Sequence, residues 1–206
     1  MTQAKPVEFW FDPSCPYTWL TSRWLIEAAT VRPIEIRWHI MSLAVLNEGR
    51  EVDPEGDTEG YLWYPVRVCA AVERHRGKTK LAAFYTALGN RLHKDQPQWD
   101  DNVFTDALTE AGLPVELAKA ATSDDLDVDV RASHERGIGL VGDHVGTPVI
   151  AATGPSDEPV AFFGPVISRI PRGEEAGRLW DLVVPLAGFD GFHELKTTAP
   201  KPPDYA

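Results

Sequence analysis

Pro6-Val-Glu-Phe-Trp-Phe-Asp-Pro-Ser-Cys15-Pro-Tyr-Thr-Trp19 is the stretch from which the architecture follows. Residues 6–11 are apolar and aromatic, the composition of a strand. Asp12-Pro13-Ser14 then breaks the run as a turn. Residues 19–30 carry Trp19, Leu20, Trp24, Leu25 and Ala28 at helical spacing, and Pro33 ends that helix. Residues 34–40, Ile-Glu-Ile-Arg-Trp-His-Ile, alternate apolar and polar, which predicts a second strand. A strand, a helix and a strand in this order make a βαβ unit with a parallel pair.

Further along, residues 47–60 are polar and hold Gly49, Pro54, Gly56 and Gly60, so they read as a loop. From Tyr61 to about Val130 the pattern is helical, with predicted helices at 64–75, 81–93, 100–111 and 116–121, punctuated by Pro97, Gly112 and Pro114. One more helix is predicted over 125–136, ending at Gly137. Strands return at 146–152 and 159–163, joined by a turn at 154–158, and a last helix is predicted at 174–186. The tail from Gly188 is proline-rich and aperiodic, and is expected either to wrap the surface or to be partly mobile. The element order βαβ, helical block, ββα is that of an α/β thioredoxin fold interrupted after its second strand. The expected organisation is a thioredoxin-like domain of residues 1–58 and 138–206 with an inserted helical domain of residues 59–137.

The chain has 206 residues, 43% hydrophobic and 25% charged. That balance suits a globular protein of one domain, with or without a large insertion. No apolar run approaches the roughly 20 residues that cross a bilayer. No basic stretch followed by an apolar segment opens the chain, so no secretory leader is expected and the cytoplasm is the expected location. The net charge of −11 repels phosphate backbones, which argues against nucleic-acid partners. The six histidines form no ligand spacing with other residues, so no metal is expected. No nucleotide-binding signature is present.

Chemistry is left to the two cysteines, Cys15 and Cys69. Cys15 stands where a strand passes into a helix. The first helical turn leaves backbone N–H groups unpaired and its dipole favours negative charge, so a thiol there is expected to lose its proton readily. Pro16 suits the first helical position, and Thr18 can donate its hydroxyl to the sulfur. The competing reading is an inert, buried cysteine at a helix start. Thr147-Pro148 precedes a strand. A cis proline there would lie beside the cysteine in a thioredoxin fold and leave the Thr147 backbone free to pair with an extended substrate. An ordinary trans proline at a strand start is the alternative. Cys69 lies in an apolar helical run, where a core role outweighs that of a resolving thiol.

Phe9-Trp-Phe-Asp-Pro-Ser-Cys-Pro16 resembles the active-site approach of the DsbA family. Phe163-Gly-Pro-Val-Ile-Ser-Arg-Ile-Pro-Arg-Gly-Glu-Glu-Ala-Gly177, with Met41-Ser-Leu-Ala and Ala118-Lys-Ala-Ala-Thr-Ser-Asp, resembles its actinobacterial branch, the mycothiol-dependent nitroreductases. The resemblance implies a DsbA-like thiol-disulfide oxidoreductase, often dimeric, with no bound cofactor. Mycothiol, a low-molecular-weight thiol, would be the reducing co-substrate, and disulfides or nitro compounds the substrates. Relatives carry a second cysteine where Thr18 stands, so the cycle implied here uses one thiol. Catalysis would fall to Cys15 and Thr18, and substrate contacts to Pro16, Tyr17, Thr147 and Pro148. The lone-nucleophile motif also resembles kappa-class glutathione transferases, which makes a thiol transferase or isomerase the alternative; a non-catalytic member is the third. Arg169 and Arg172 would either bind a carboxylate of the thiol or pair with Glu174 and Glu175. Trp10, Tyr17, Trp19 and Trp63 are candidate walls of an aromatic cleft, with Tyr17 the best placed and Trp10 and Trp19 suited to the core. His39 and His93 read as structural.

Overall fold

The computed structural model describes residues 4–94, 100 and 102–205. Strand β1, Lys5–Phe11, runs through the middle of a four-stranded sheet. It pairs in parallel with β2, Ile34–Ile40, placing Phe9 opposite Trp38 and Trp10 opposite His39. On its other side it pairs antiparallel with β3, Val149–Thr153, which forms a hairpin with β4, Pro159–Phe163. The order β2-β1-β3-β4 is that of a thioredoxin sheet.

Side chains alternate across β1, and both faces of the sheet are covered. Val7, Phe9 and Phe11 enter the large core. Trp10 points the other way, into a small cluster with Met41, Ile138 and Val149. Helix α1, Pro16–Val31, buries Trp19, Leu20, Trp24, Leu25 and Ala28, and Pro33 forbids its continuation because it lacks the N–H a further turn needs. The indole of Trp24 donates to the Ala176 carbonyl (3.0 Å) on α7, Gly173–Ala187, so the first and last helices pack as a pair.

Between β2 and β3 lie α2, Leu43–Asn47; α3, Trp63–Arg76; α4, Lys78–His93; α5, Val103–Glu110; a 3₁₀ helix, Val115–Thr122; and α6, Asp127–Ile138. Among the described residues none of the helices is long and apolar enough to cross a membrane. The helical block shares its core with the sheet: Phe11 stacks on Tyr85 of α4 at 3.9 Å between ring centroids, and Trp19 meets the same ring edge-on at 5.3 Å.

Several boundaries differ from the sequence reading. Helix α1 begins at Pro16 rather than at Trp19, because Cys15 caps it. The short α2 carries too few residues to show a period. Strand β3 starts at Val149; residues 146–148 form its approach. Helix α5 starts at Val103, later than the predicted 100. Helix α6 does not stop at Gly137 but runs to Ile138. Gly137 lies there because a Cβ would meet the Trp10 ring at 2.7 Å. Pro97, read as a helix breaker, lies outside the described residues.

Gly89 on α4 is the same kind of contact in a tighter form, since an added Cβ would sit 2.2 Å from the Trp19 ring. On an exposed helix Gly→Ala stabilises by up to about 1 kcal/mol. Here Gly89→Ala is expected to destabilise by about 1–3 kcal/mol through overpacking. Urea unfolding decides the sign, and an unchanged or higher midpoint would sink the account.

Candidate active site

Cys15 is the N-cap of α1, in extended backbone conformation, and its Sγ accepts the Thr18 N–H at 3.5 Å. Pro16 occupies the first turn, where a missing N–H costs nothing. The Thr18 hydroxyl is buried and lies 3.3 Å from Thr147 Oγ1. Thr147 Oγ1 also accepts the Asp12 backbone N–H at 3.3 Å. The Thr147–Pro148 peptide is cis. Cys15, Thr18, Thr147 and Pro148, far apart in the chain, therefore meet at one place, and Tyr17 stands at its rim with its hydroxyl 3.2 Å from the Lys201 carbonyl.

The cysteine loop is held from below by Asp12, which is fully buried. One carboxylate oxygen accepts the Ser14 N–H at 2.7 Å and the other the Leu43 N–H at 2.7 Å. Burial nevertheless pushes its pKa from 3.8 up to about 7, the two amide bonds opposing that rise. His93 supports the loop from the helical block. Its Nε2–H donates to the Pro13 carbonyl at 2.8 Å, and burial lowers its pKa to about 4, so the ring is neutral at ordinary pH.

The thiol itself departs from the sequence expectation. Burial raises the pKa of Cys15 above its ordinary value, and the nearby Asp12 raises it further. The Thr18 hydroxyl and the Thr18 and Tyr17 amides pull the other way without overcoming it. Reading a helix start from sequence counts the amides but not the cover over the sulfur. The single Thr18 proton has two acceptors, Cys15 Sγ and Thr147 Oγ1, and its rotor selects between them.

Other candidates separate from the site. Cys69 is fully buried in the core on α3, and burial pushes its thiol well up. Trp19 is buried beneath the Arg23 guanidinium at 4.0 Å, and Trp10 stacks on His39 at 4.6 Å. Trp63 lies under Arg67 and Arg131, at 5.0 and 5.1 Å. Of the four aromatics proposed as walls, Tyr17 is tied to the cysteine site through its hydroxyl, while Trp19 lies beneath it in the core with its ring 6.0 Å from His93. Arg169 pairs with Glu175 through two hydrogen bonds, while Arg172 reaches Glu27 on α1 at 3.0 Å. His39 bonds Glu8 and lies 3.0 Å from Lys78. Among the described residues no group of three or more His, Cys, Asp or Glu is arranged to hold a metal ion.

Three contributors escaped the sequence reading. Asp12 was legible only as a turn former, and its bond to Ser14 is the local part of its role. His93 gave no sign that it supports the loop. Tyr205 gave none either, although its ring stacks on His93 with centroids 6.5 Å apart.

Comparison with known proteins bears on the whole chain. A family model described as the mycothiol-dependent nitroreductase Rv2466c matches residues 14–197. The uncharacterized protein Rv2286c of Mycobacterium tuberculosis is 32% identical over 202 residues, covering 96% of this chain and 83% of that protein. Among solved structures, a probable DsbA oxidoreductase from Streptomyces coelicolor superposes with a TM-score of 0.53 at 16% identity, over 94% of each chain. A 2-hydroxychromene-2-carboxylate isomerase superposes with a TM-score of 0.55 at 15% identity, over 86% of this chain and 92% of its own. At such identities the likeness is one of fold.

Two substitutions are expected to move the thiol in opposite directions. Asp12→Asn removes a neighbouring negative charge and lowers the Cys15 pKa; Thr18→Val removes a donor and raises it. The pH dependence of iodoacetamide alkylation reads both, and equal profiles would overturn the electrostatic account. Asp12 also sets a stability slope. A buried acid with a raised pKa binds its proton more tightly in the folded state. Its contribution is therefore present below 3.8 and is lost as pH climbs to about 7. The loss is on the order of a few kcal/mol, and Asp12→Asn should flatten it in urea titrations across that window.

Proposed function

The chain belongs to the family of the mycothiol-dependent nitroreductase Rv2466c and is a thiol-dependent redox enzyme on a DsbA-like thioredoxin fold, and from that premise we propose a disulfide-exchange cycle run on Cys15 alone, with mycothiol as the reducing co-substrate. The observation that carries this reading is the placing of one partly buried cysteine at the cap of α1, beside Thr147 and the cis Pro148, with Thr18 three residues on and Cys69 sealed in the core.

In the cycle, Cys15 gives up its proton and attacks the mycothiol sulfur of a mixed disulfide between mycothiol and another thiol. The substrate S–S bond breaks, the other thiol leaves and takes up a proton, and Cys15 holds mycothiol as a mixed disulfide. A second mycothiol, as its thiolate, attacks the mycothiol sulfur of that adduct. Oxidised mycothiol leaves and Cys15 returns as a thiolate. The net change is one mixed disulfide and one thiol converted to one free thiol and one symmetric disulfide.

The residues around the sulfur suit these steps. The Thr18 amide and hydroxyl stabilise the thiolate each time it forms. When the sulfur is tied up as a disulfide, the Thr18 proton has Thr147 Oγ1 as its acceptor. Pro16 and Tyr17 flank the sulfur from the helix side, and Thr147 offers its backbone for an extended substrate at the cis Pro148 corner. Nothing in the CPYT motif can expel the adduct from within, so release depends on the second thiol.

Intact mass after mixing the reduced protein with oxidised mycothiol tests the cycle. One mycothiol adduct is expected on the wild type and on Cys69→Ser, none on Cys15→Ser, and reduced mycothiol should remove it. Thr18→Cys should close an internal disulfide instead, so that the adduct no longer accumulates. Absence of any adduct on the wild type would sink the cycle in favour of a thiol transferase.

A further inference from the structure

After α7 the chain leaves the body of the protein. Residues 193–202 are all exposed, and Leu195 keeps 70% of its surface in water. The chain then returns, and it returns to Tyr17, two residues from Cys15. The Lys201 carbonyl accepts from the Tyr17 hydroxyl at 3.2 Å and from the Ser168 hydroxyl at 3.0 Å. The Asp204 N–H donates to the Ser168 carbonyl at 2.8 Å, and Asp204 forms a parallel bridge with Arg169. Tyr205 packs against the large core and stacks on His93, the residue that holds the Pro13 carbonyl.

We propose that residues 201–205 form a strap across the mouth of the Cys15 site, and that the strap restricts the enzyme to thiols and disulfides of small molecules. The restriction on substrate class rests on the cycle proposed above; the strap itself rests on the contacts alone.

The strap joins both parts of the fold. Tyr17, Ser168 and Arg169 belong to the thioredoxin-like part, whereas His93 ends α4 of the helical block. Between them pass Pro202 and Pro203, whose rings fix φ and favour an extended polyproline path. Such a segment loses little entropy when it docks. Neither proline has an N–H, so the tie on each side is made by a neighbour: the Lys201 carbonyl before them and the Asp204 amide after them. Burial raises the pKa of the Tyr205 phenol, and Tyr17 and Cys15 raise it further, which puts the ring in the neighbourhood of both. Because a long exposed stretch precedes the strap, it can leave and return at the cost of its own contacts, the packing of Tyr205 on His93 included. Residues 201–205 also lie beyond the stretch 14–197 by which the chain matches its family.

Access is measured without reference to mycothiol by alkylating Cys15 with N-ethylmaleimide and with a maleimide carrying a long polyethylene glycol chain. The two share one electrophile, so a change in thiol acidity cancels in the ratio of their rates. Two forms are compared with the wild type: a chain ended after Pro200, and full-length Asp204→Pro, which removes the N–H given to Ser168 together with the carboxylate that acts on Arg169. The rate ratio of bulky to small reagent is expected to rise in both. For Asp204→Pro the rise is at least roughly fivefold, the factor for one net hydrogen bond; for the shortened chain it is larger. An unchanged ratio in the shortened chain, with its thermal unfolding intact, overturns the strap. The substrate restriction is read by presenting the same mycothiol mixed disulfide on a small thiol and on a folded protein. The shortened chain should gain activity on the protein-borne disulfide and not on the small one. Equal gains on both, or none, overturn the restriction. A raised alkylation ratio with no exchange by any form leaves the strap standing and removes the cycle instead.

Discussion

The carboxyl of Asp12 is the point on which the site depends. It lies at the end of the central strand, fully buried, and receives amides from Ser14 and from Leu43, while its own N–H reaches Thr147. Three segments therefore share one anchor: the cysteine loop, the start of α2 and the approach to β3. An uncompensated buried charge is expensive, and two short amide bonds do not fully offset that cost, which is why the group is balanced near neutral pH. The same carboxyl lies close enough to Cys15 to oppose its ionisation. What positions the nucleophile also restrains it.

Around this anchor the chemistry is governed by cover rather than by exposed charge. The helix start supplies amides to the sulfur, as it would in any cysteine at such a cap, but burial outweighs them. Thr18 gives a hydroxyl where a second thiol would give a covalent exit. In the cycle proposed above the adduct at such a sulfur persists until an outside thiol arrives, so in that cycle access to the site governs turnover as well as substrate choice.

The four strands, α1 and most of the helical block were legible because their signals are local. Alternation in 34–40, the aromatic run of 6–11 and the spacing of Trp19, Trp24 and Ala28 each lie within a few residues. The resemblance of residues 9–16 to DsbA-type sites likewise lies in one short run. The aperiodic tail reads equally as wrapping the surface or as partly mobile, and residues 201–205 wrap. What stayed hidden depends on partners distant in the chain. Arg172 finds Glu27, and Gly137 is glycine because of Trp10. The direction of the Cys15 shift was hidden for the same reason: desolvation comes from what folds over the sulfur, and no spacing rule shows that.

The separations involved have a kinetic meaning. Asp12 meets Thr147 across 135 residues, and Tyr17 meets Lys201 across 184. Loops of that length close late, since their entropy is lost before the contacts are made. Synthesis runs from the N-terminal side, so Cys15 emerges well before Thr147 and residues 201–205. Over that interval the thiol that is covered in the folded protein stands uncovered, open to any passing oxidant or disulfide. Completing the fold and shielding the thiol are one event, and it waits on segments made more than a hundred residues later.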